Sequence, residues 1–276
     1  MLMKLVTLTF TVLFVLLLVS CETPAKEDHD DLHTKTIRSD DLSSPSHPYS
    51  HLNAEPQEWG EHVTGVKNRM HTDELKVALT FDLCGGPFGN QLDEDIVDYL
   101  RNEQIPATLF VNERWILDNE AAFLDLANDD LFEIENHGSE HVPLSVTGQE
   151  AYGIQGTTNA HEVTEEVLSN QRTITKRTGS SPSFFRSGTA YYDEVSVEIV
   201  QALGIEVVNF DVVGDAGATY SADQVQHAIE NVSPGSIVLL HLNQPESDVS
   251  EGVKRAIPTL QANGYTFVHL NAFSLE

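Results

Sequence analysis

Val77-Ala-Leu-Thr-Phe-Asp-Leu83, followed at once by Cys84-Gly-Gly-Pro87, is the stretch from which the architecture can be read. An apolar run rich in β-branched and aromatic residues, stopped by a Gly-Gly-Pro turn, reads as a strand. The turn is not a phosphate loop, because no Gly-Lys-Ser/Thr follows it. Working outward, six more such runs appear: 107–112, 132–136, 184–186, 206–211, 237–242 and 265–270. Segments with helical periodicity lie between most of them, at 93–103, 121–127, 160–177, 193–203, 222–231 and 250–262, with Gly179, Gly204 and Gly264 where helices should stop. Strand–helix alternation implies a parallel sheet. About seven such units fit an α/β fold in which the strands close into a distorted (β/α) barrel.

Upstream, residues 1–20 read as a lipoprotein signal peptide. Lys4 supplies a positive start, residues 5–19 are almost wholly apolar, and Leu18-Val19-Ser20-Cys21 resembles a bacterial lipobox. That resemblance implies a lipid on Cys21 and a location at the cell envelope, with Glu22 favouring the outer membrane in a Gram-negative cell. Residues 21–52 are polar and rich in Asp, Ser, Pro and His, so they read as a flexible tether. Its histidines are read as solvated. Residues 53–276 form the folded domain. The formal charge is −28, from 43 acidic and 15 basic residues, which disfavours nucleic acid and anionic lipid headgroups as partners. With two cysteines, one expected to be lipidated, Cys84 has no disulfide partner in the chain.

The chemically capable residues fall at one kind of place. Asp82 ends the first strand, His137 the third and Arg186 the fourth; Asp215 follows the fifth, and His241 lies near the end of the sixth. In β/α barrels the C-terminal ends of the strands form the active-site face. His137 and His141 are spaced i, i+4, so one helical turn would aim both imidazoles at one ion. Zinc is the default ion for imidazole ligands, with other first-row ions as alternatives.

Taken together, Thr80-Phe81-Asp82, His137-Gly138-Ser139-Glu140-His141, Phe185-Arg186-Ser187-Gly188, Gly214-Asp215 and Leu239-Leu240-His241 resemble, in order, the motifs of the polysaccharide deacetylases with a NodB-homology domain (carbohydrate esterase family 4-like). Cys84-Gly85-Gly86, Trp59-Gly60 and Ala151-Tyr152-Gly153-Ile154 resemble one branch of it. The resemblance implies a hydrolase that removes N-acetyl groups from an amino-sugar polysaccharide or oligosaccharide. It implies Asp82 as catalytic base, Arg186 as the residue orienting that base, His241 as general acid and Asp215 as its partner. His137 and His141 are the implied ligands of a divalent metal, and the backbone N–H of Thr189 the implied oxyanion donor. An O-acetyl polysaccharide esterase, or a non-catalytic carbohydrate-binding relative, is the alternative. Two departures stand out. Leu83 occupies the place of a second Asp that serves as a metal ligand, so the third ligand is Asp82, Cys84, a residue elsewhere or water. Ser187, Gly188 and Thr189 replace the usual Pro-Pro-Tyr.

Overall fold

The structure, a computed structural model, describes residues 55–276. The signal peptide, Cys21 and the tether expectations fall outside the described residues. Among the described residues ten strands and seven α-helices follow in chain order: β1 (Lys76–Leu83), α1 (Glu94–Glu103), β2 (Ala107–Val111), α2 (Glu113–Asp118), α3 (Glu120–Ala127), β3 (Phe132–Asn136), β4 (Glu150–Ala151), β5 (Ile154–Gln155), α4 (Ala160–Thr178), β6 (Phe184–Phe185), α5 (Glu194–Ala202), β7 (Glu206–Val207), β8 (Val212–Val213), α6 (Ala222–Glu230), β9 (Ser236–His241), α7 (Val249–Ala262) and β10 (Thr266–Phe267).

Capping side chains account for several helix starts. Asp93, Asn159 and Asp193 each accept a bond from the backbone N–H three residues on, and Ser221 forms a capping box with Gln224. Gly179 ends α4 in the left-handed conformation. Two features departed from the expected pattern: α2 stands in front of α3, and β4–β5 form a small antiparallel hairpin.

The main sheet runs β7-β6-β3-β2-β1-β9-β8, with β10 also paired to β1, and every pairing in it is parallel. β7 and β8 are two parts of one stretch, residues 206–213. It pairs with β6 at one margin of the sheet and, after a bend, with β9 at the other. Counting that stretch once, seven parallel strands form a curled, barrel-like sheet. Lys67 fills the bend: its N–H donates to Val207 O at 2.9 Å, and its carbonyl accepts from Asn209 N at 2.7 Å.

Along β1 the pleat sorts side chains into two populations. Val77, Leu79, Phe81 and Leu83 pack into the large core shared with the outer helices. Ala78 belongs to the interior cluster with Phe110, Phe210 and Leu270, so Thr80 and Asp82 share the interior side. The registers place Asp82 beside His241 and Phe110, and Asn136 beside Phe185. The candidate residues are thereby levelled at the C-terminal mouth of the sheet.

Candidate active site

The buried guanidinium of Arg186 organises the interior. It donates to Asp82 Oδ1 at 2.8 Å, Thr80 Oγ1 at 3.0 Å, Val208 O at 3.2 Å and Asn209 O at 2.9 Å. The ring of Phe110 lies beneath it, 4.1 Å from Cζ to the centroid. Burial alone would push the Asp82 carboxyl up. The charges of His137, Arg186 and His241 outweigh that effect and hold it below the ordinary carboxylate range.

His137 and His141 come together, but not on a helix. Residues 137–141 form a loop in which Gly138 has φ 77° and His141 has φ 61°. The expected helical turn is replaced because the loop is wrapped around a carboxylate. Glu166, on the buried face of α4, accepts from Ser139 Oγ at 2.8 Å, Glu140 N at 2.8 Å and His141 N at 3.1 Å. A side chain on Gly138 would put a Cβ 2.4 Å from Glu166 Oε1. Sequence reasoning missed Glu166; the available signal was its place in the 163, 166/167, 170, 174 stripe that α4 buries.

Three donor groups converge at the mouth. Cys84, His137 and His141 offer ligand atoms that all lie within 4.8 Å of one another, and Cys84 Sγ is 3.8 Å from His137 Nε2. His137 Nδ1 is 2.9 Å from Arg186 O, which assigns that nitrogen the proton and leaves Nε2 as a lone-pair donor. His141 Nε2 is buried with no hydrogen-bond partner. A buried imidazole nitrogen without a partner, facing a thiol and a second imidazole, fits a soft or borderline divalent ion such as zinc. Asp82 Oδ2 also lies 3.6 Å from His137 Nε2, but Asp82 is outside the converging trio and its Oδ1 is bonded to Arg186. Burial would raise the Cys84 thiol; the surrounding imidazoles, His141 foremost, bring it well below its ordinary range.

Beside Asp82 on the neighbouring strand, His241 Nδ1 lies 2.9 Å from Asp215 Oδ1, and the His241 backbone N–H donates to Asp215 Oδ2 at 2.6 Å. This two-point grip fixes the ring with Nε2 turned away from Asp215. Burial disfavours the imidazolium, but the Asp215 charge more than compensates and raises its pKa well above the ordinary histidine value.

Thr189 lines the same cavity, about 490 Å³ in volume, as Asp82, His141 and His241. Its N–H donates to no group among the described residues. Gly188 explains the departure from prolines: a Cβ there would lie 2.4–2.5 Å from His141 atoms, so the His141 backbone occupies the space a side chain would need.

The family model for polysaccharide deacetylases matches residues 69–208. A chitooligosaccharide deacetylase of Rhizobium leguminosarum bv. phaseoli is 24% identical over 188 residues, covering 67% of this chain and 76% of that protein. The match to a bifunctional xylanase/deacetylase of Pseudobutyrivibrio xylanivorans, also 24% identical, covers 74% of this chain but 31% of that longer protein. Among solved structures, a family 4 acetyl xylan esterase from Clostridium thermocellum in complex with a cobalt ion aligns with TM-score 0.59 at 28% identity, covering 71% of this chain and 89% of the other. A family 4 pseudoenzyme from Bacillus anthracis aligns with TM-score 0.62 at 22% identity, covering 75% and 67%.

Proposed function

Given that this chain belongs to the polysaccharide deacetylase family, we propose that it is a metal-dependent hydrolase removing N-acetyl groups from an amino-sugar polysaccharide or oligosaccharide. The carrying observation is a base and an acid side by side on one cavity: Asp82, gripped by Arg186, and His241, gripped by Asp215, with the Cys84–His137–His141 trio beside them. A pure binding groove has no use for a matched carboxylate and imidazolium. The relative named as a chitooligosaccharide deacetylase supports the N-acetyl reading.

In this reading His137, His141 and Cys84 hold the ion. The thiolate, next after Asp82 on the interior face of the strand, takes the ligand role that Leu83 cannot fill. A divalent ion there supplies Lewis acidity, lowering the pKa of water and polarising the acetyl carbonyl. Asp82 removes a proton from the attacking water, whose oxygen bonds to the acetyl carbon. The negative oxygen that develops receives the Thr189 N–H. His241, as imidazolium, gives its Nε2 proton to the leaving nitrogen as the C–N bond breaks. Acetate and a free amine result.

The test is acetate release from N-acetylated and O-acetylated oligosaccharides by the zinc-loaded protein, with cobalt substitution run in parallel. A thiolate–cobalt charge-transfer band in the near ultraviolet that vanishes in Cys84→Ser is expected. Metal-loaded protein that releases no acetate from either class would overturn the hydrolase reading in favour of a non-catalytic relative, a reading motivated by Leu83 and by the pseudoenzyme neighbour. We further place the protein at the cell envelope through a lipid on Cys21; Cys21→Ser should leave the membrane fraction or accumulate as precursor, and unchanged fractionation and mass would exclude it.

A further inference from the structure

The cavity that Asp82, His141 and His241 line also carries an aromatic group that the reaction does not use. We propose that Tyr152 is the stacking platform of a saccharide subsite, receiving an uncharged sugar ring next to the one whose acetyl group is removed. This rests on the deacetylase reading for what is bound, and on the following geometry for where.

Tyr152 is 72% exposed, yet it lines the same cavity as Asp82 and His241. It sits at the tip of the β4–β5 hairpin, whose two-residue turn places Tyr152 at φ 54° and Gly153 at φ 77°. Turns of this kind ordinarily take Asn, Asp or Gly at the first position, since a side chain with a Cβ is strained there. A bulky aromatic kept at a strained, exposed position points to a task other than folding. The side chain is also oriented. Its hydroxyl donates to Glu61 Oε1 at 3.2 Å. Its ring meets Tyr191 edge-on at 5.4 Å and 80°, and Tyr191 in turn packs on Trp59 at 5.7 Å. Trp59 is located by the adjacent Gly60, which exchanges two 3.0 Å backbone bonds with Tyr192. The hydroxyl and one side of the ring are thus held, while the ring stays largely exposed on the cavity.

An aromatic face is electron-rich, and the axial C–H bonds of a pyranose are weakly positive, so the two stack. The neighbouring Glu61 sets the charge preference. Among the described residues no cation pairs with it, and no Lys or Arg lines the cavity. Its carboxylate accepts hydroxyl hydrogens of a neutral sugar and repels a sugar carboxylate.

The experiment compares zinc-loaded wild type with Tyr152→Ala, Tyr152→Phe and Glu61→Gln. The substrates are a single-ring N-acetylhexosamine glycoside, its neutral β-linked tetramer, and a tetramer bearing carboxylated rings. For Tyr152→Ala the ratio of kcat/KM on the neutral tetramer to that on the single ring should fall about tenfold or more, mainly through KM, and Tyr152→Phe should restore most of it. Glu61→Gln should narrow the gap between neutral and carboxylated tetramers. Equal loss on single ring and tetramer, or no loss on either, overturns the platform; an unchanged charge discrimination overturns the role of Glu61. If wild type releases no acetate at all, the deacetylase reading has failed separately. Calorimetric binding of the neutral tetramer then decides the subsite: weakened binding in Tyr152→Ala supports it, and equal binding overturns it.

Discussion

Asp82 and His241 are adjacent in register across β1 and β9, yet their surroundings drive them to opposite protonation states. This division of labour makes separable predictions. Asp82→Asn should lower kcat by roughly two to four orders of magnitude while zinc content stays near one per chain, because the base is lost and the trio is not. Zinc loss in that variant would instead make Asp82 a ligand. Asp215→Asn removes the charge that raises the His241 pKa. Activity requires the imidazolium and is lost as pH rises through that pKa. The alkaline limb of kcat/KM should therefore move to lower pH, and a limb that stays in place would remove His241 from the acid role. Much of this was legible in the sequence, since a lone Asp, Arg or His ending an apolar run is conspicuous. The His137–His141 geometry was not. The i, i+4 spacing suggested a helix, and only the left-handed backbone at Gly138 and His141 shows how a loop brings the rings together.

Among the elements, α4 does more than cover the sheet. It carries Glu166 into the loop that holds both histidines, and Asn170 to Val111 O at 2.7 Å and Asn136 Oδ1 at 2.9 Å. Glu166→Ala should leave three donors of the loop, the buried Ser139 hydroxyl among them, without their acceptor and weaken zinc binding by about 10–100-fold, as losses behind a ligand typically do. Competition against a chromophoric chelator measures this, and an unaltered affinity would make Glu166 a folding residue only. Gly188→Ala should act from the other side, displacing His141 and reducing zinc occupancy. A sequence reader sees in α4 a helix with many acids. Which of them turns inward depends on the loop it meets 25 to 27 residues upstream, and periodicity does not carry that information.

For the molecule as a whole, the segment before β1 is part of the fold and no mere approach to it. Gly60 pairs with Tyr192, Lys67 with Val207 and Asn209, and Asn68 and Arg69 with Glu276. These partners are remote in the chain, so nothing local in residues 55–70 announced a strap. A chain starting at residue 55 should melt cooperatively, whereas one starting at residue 71 should melt at distinctly lower temperature, read by circular dichroism. Indistinguishable melting would deny the strap its role. The charge of −28 adds a second expectation: raising salt from low ionic strength should raise Tm by screening self-repulsion. Residues 206–213 have one more consequence. Because a single stretch pairs with β6 at one margin and with β9 at the other, and Lys67 lies along its bend, this seam of the curled sheet is covered against edge-on pairing by a second chain. Parting Lys67 from Val207 and Asn209 would bare that seam, so turbidity in the shortened chain should begin before its helices melt, making colloidal failure rather than unfolding the first sign of damage.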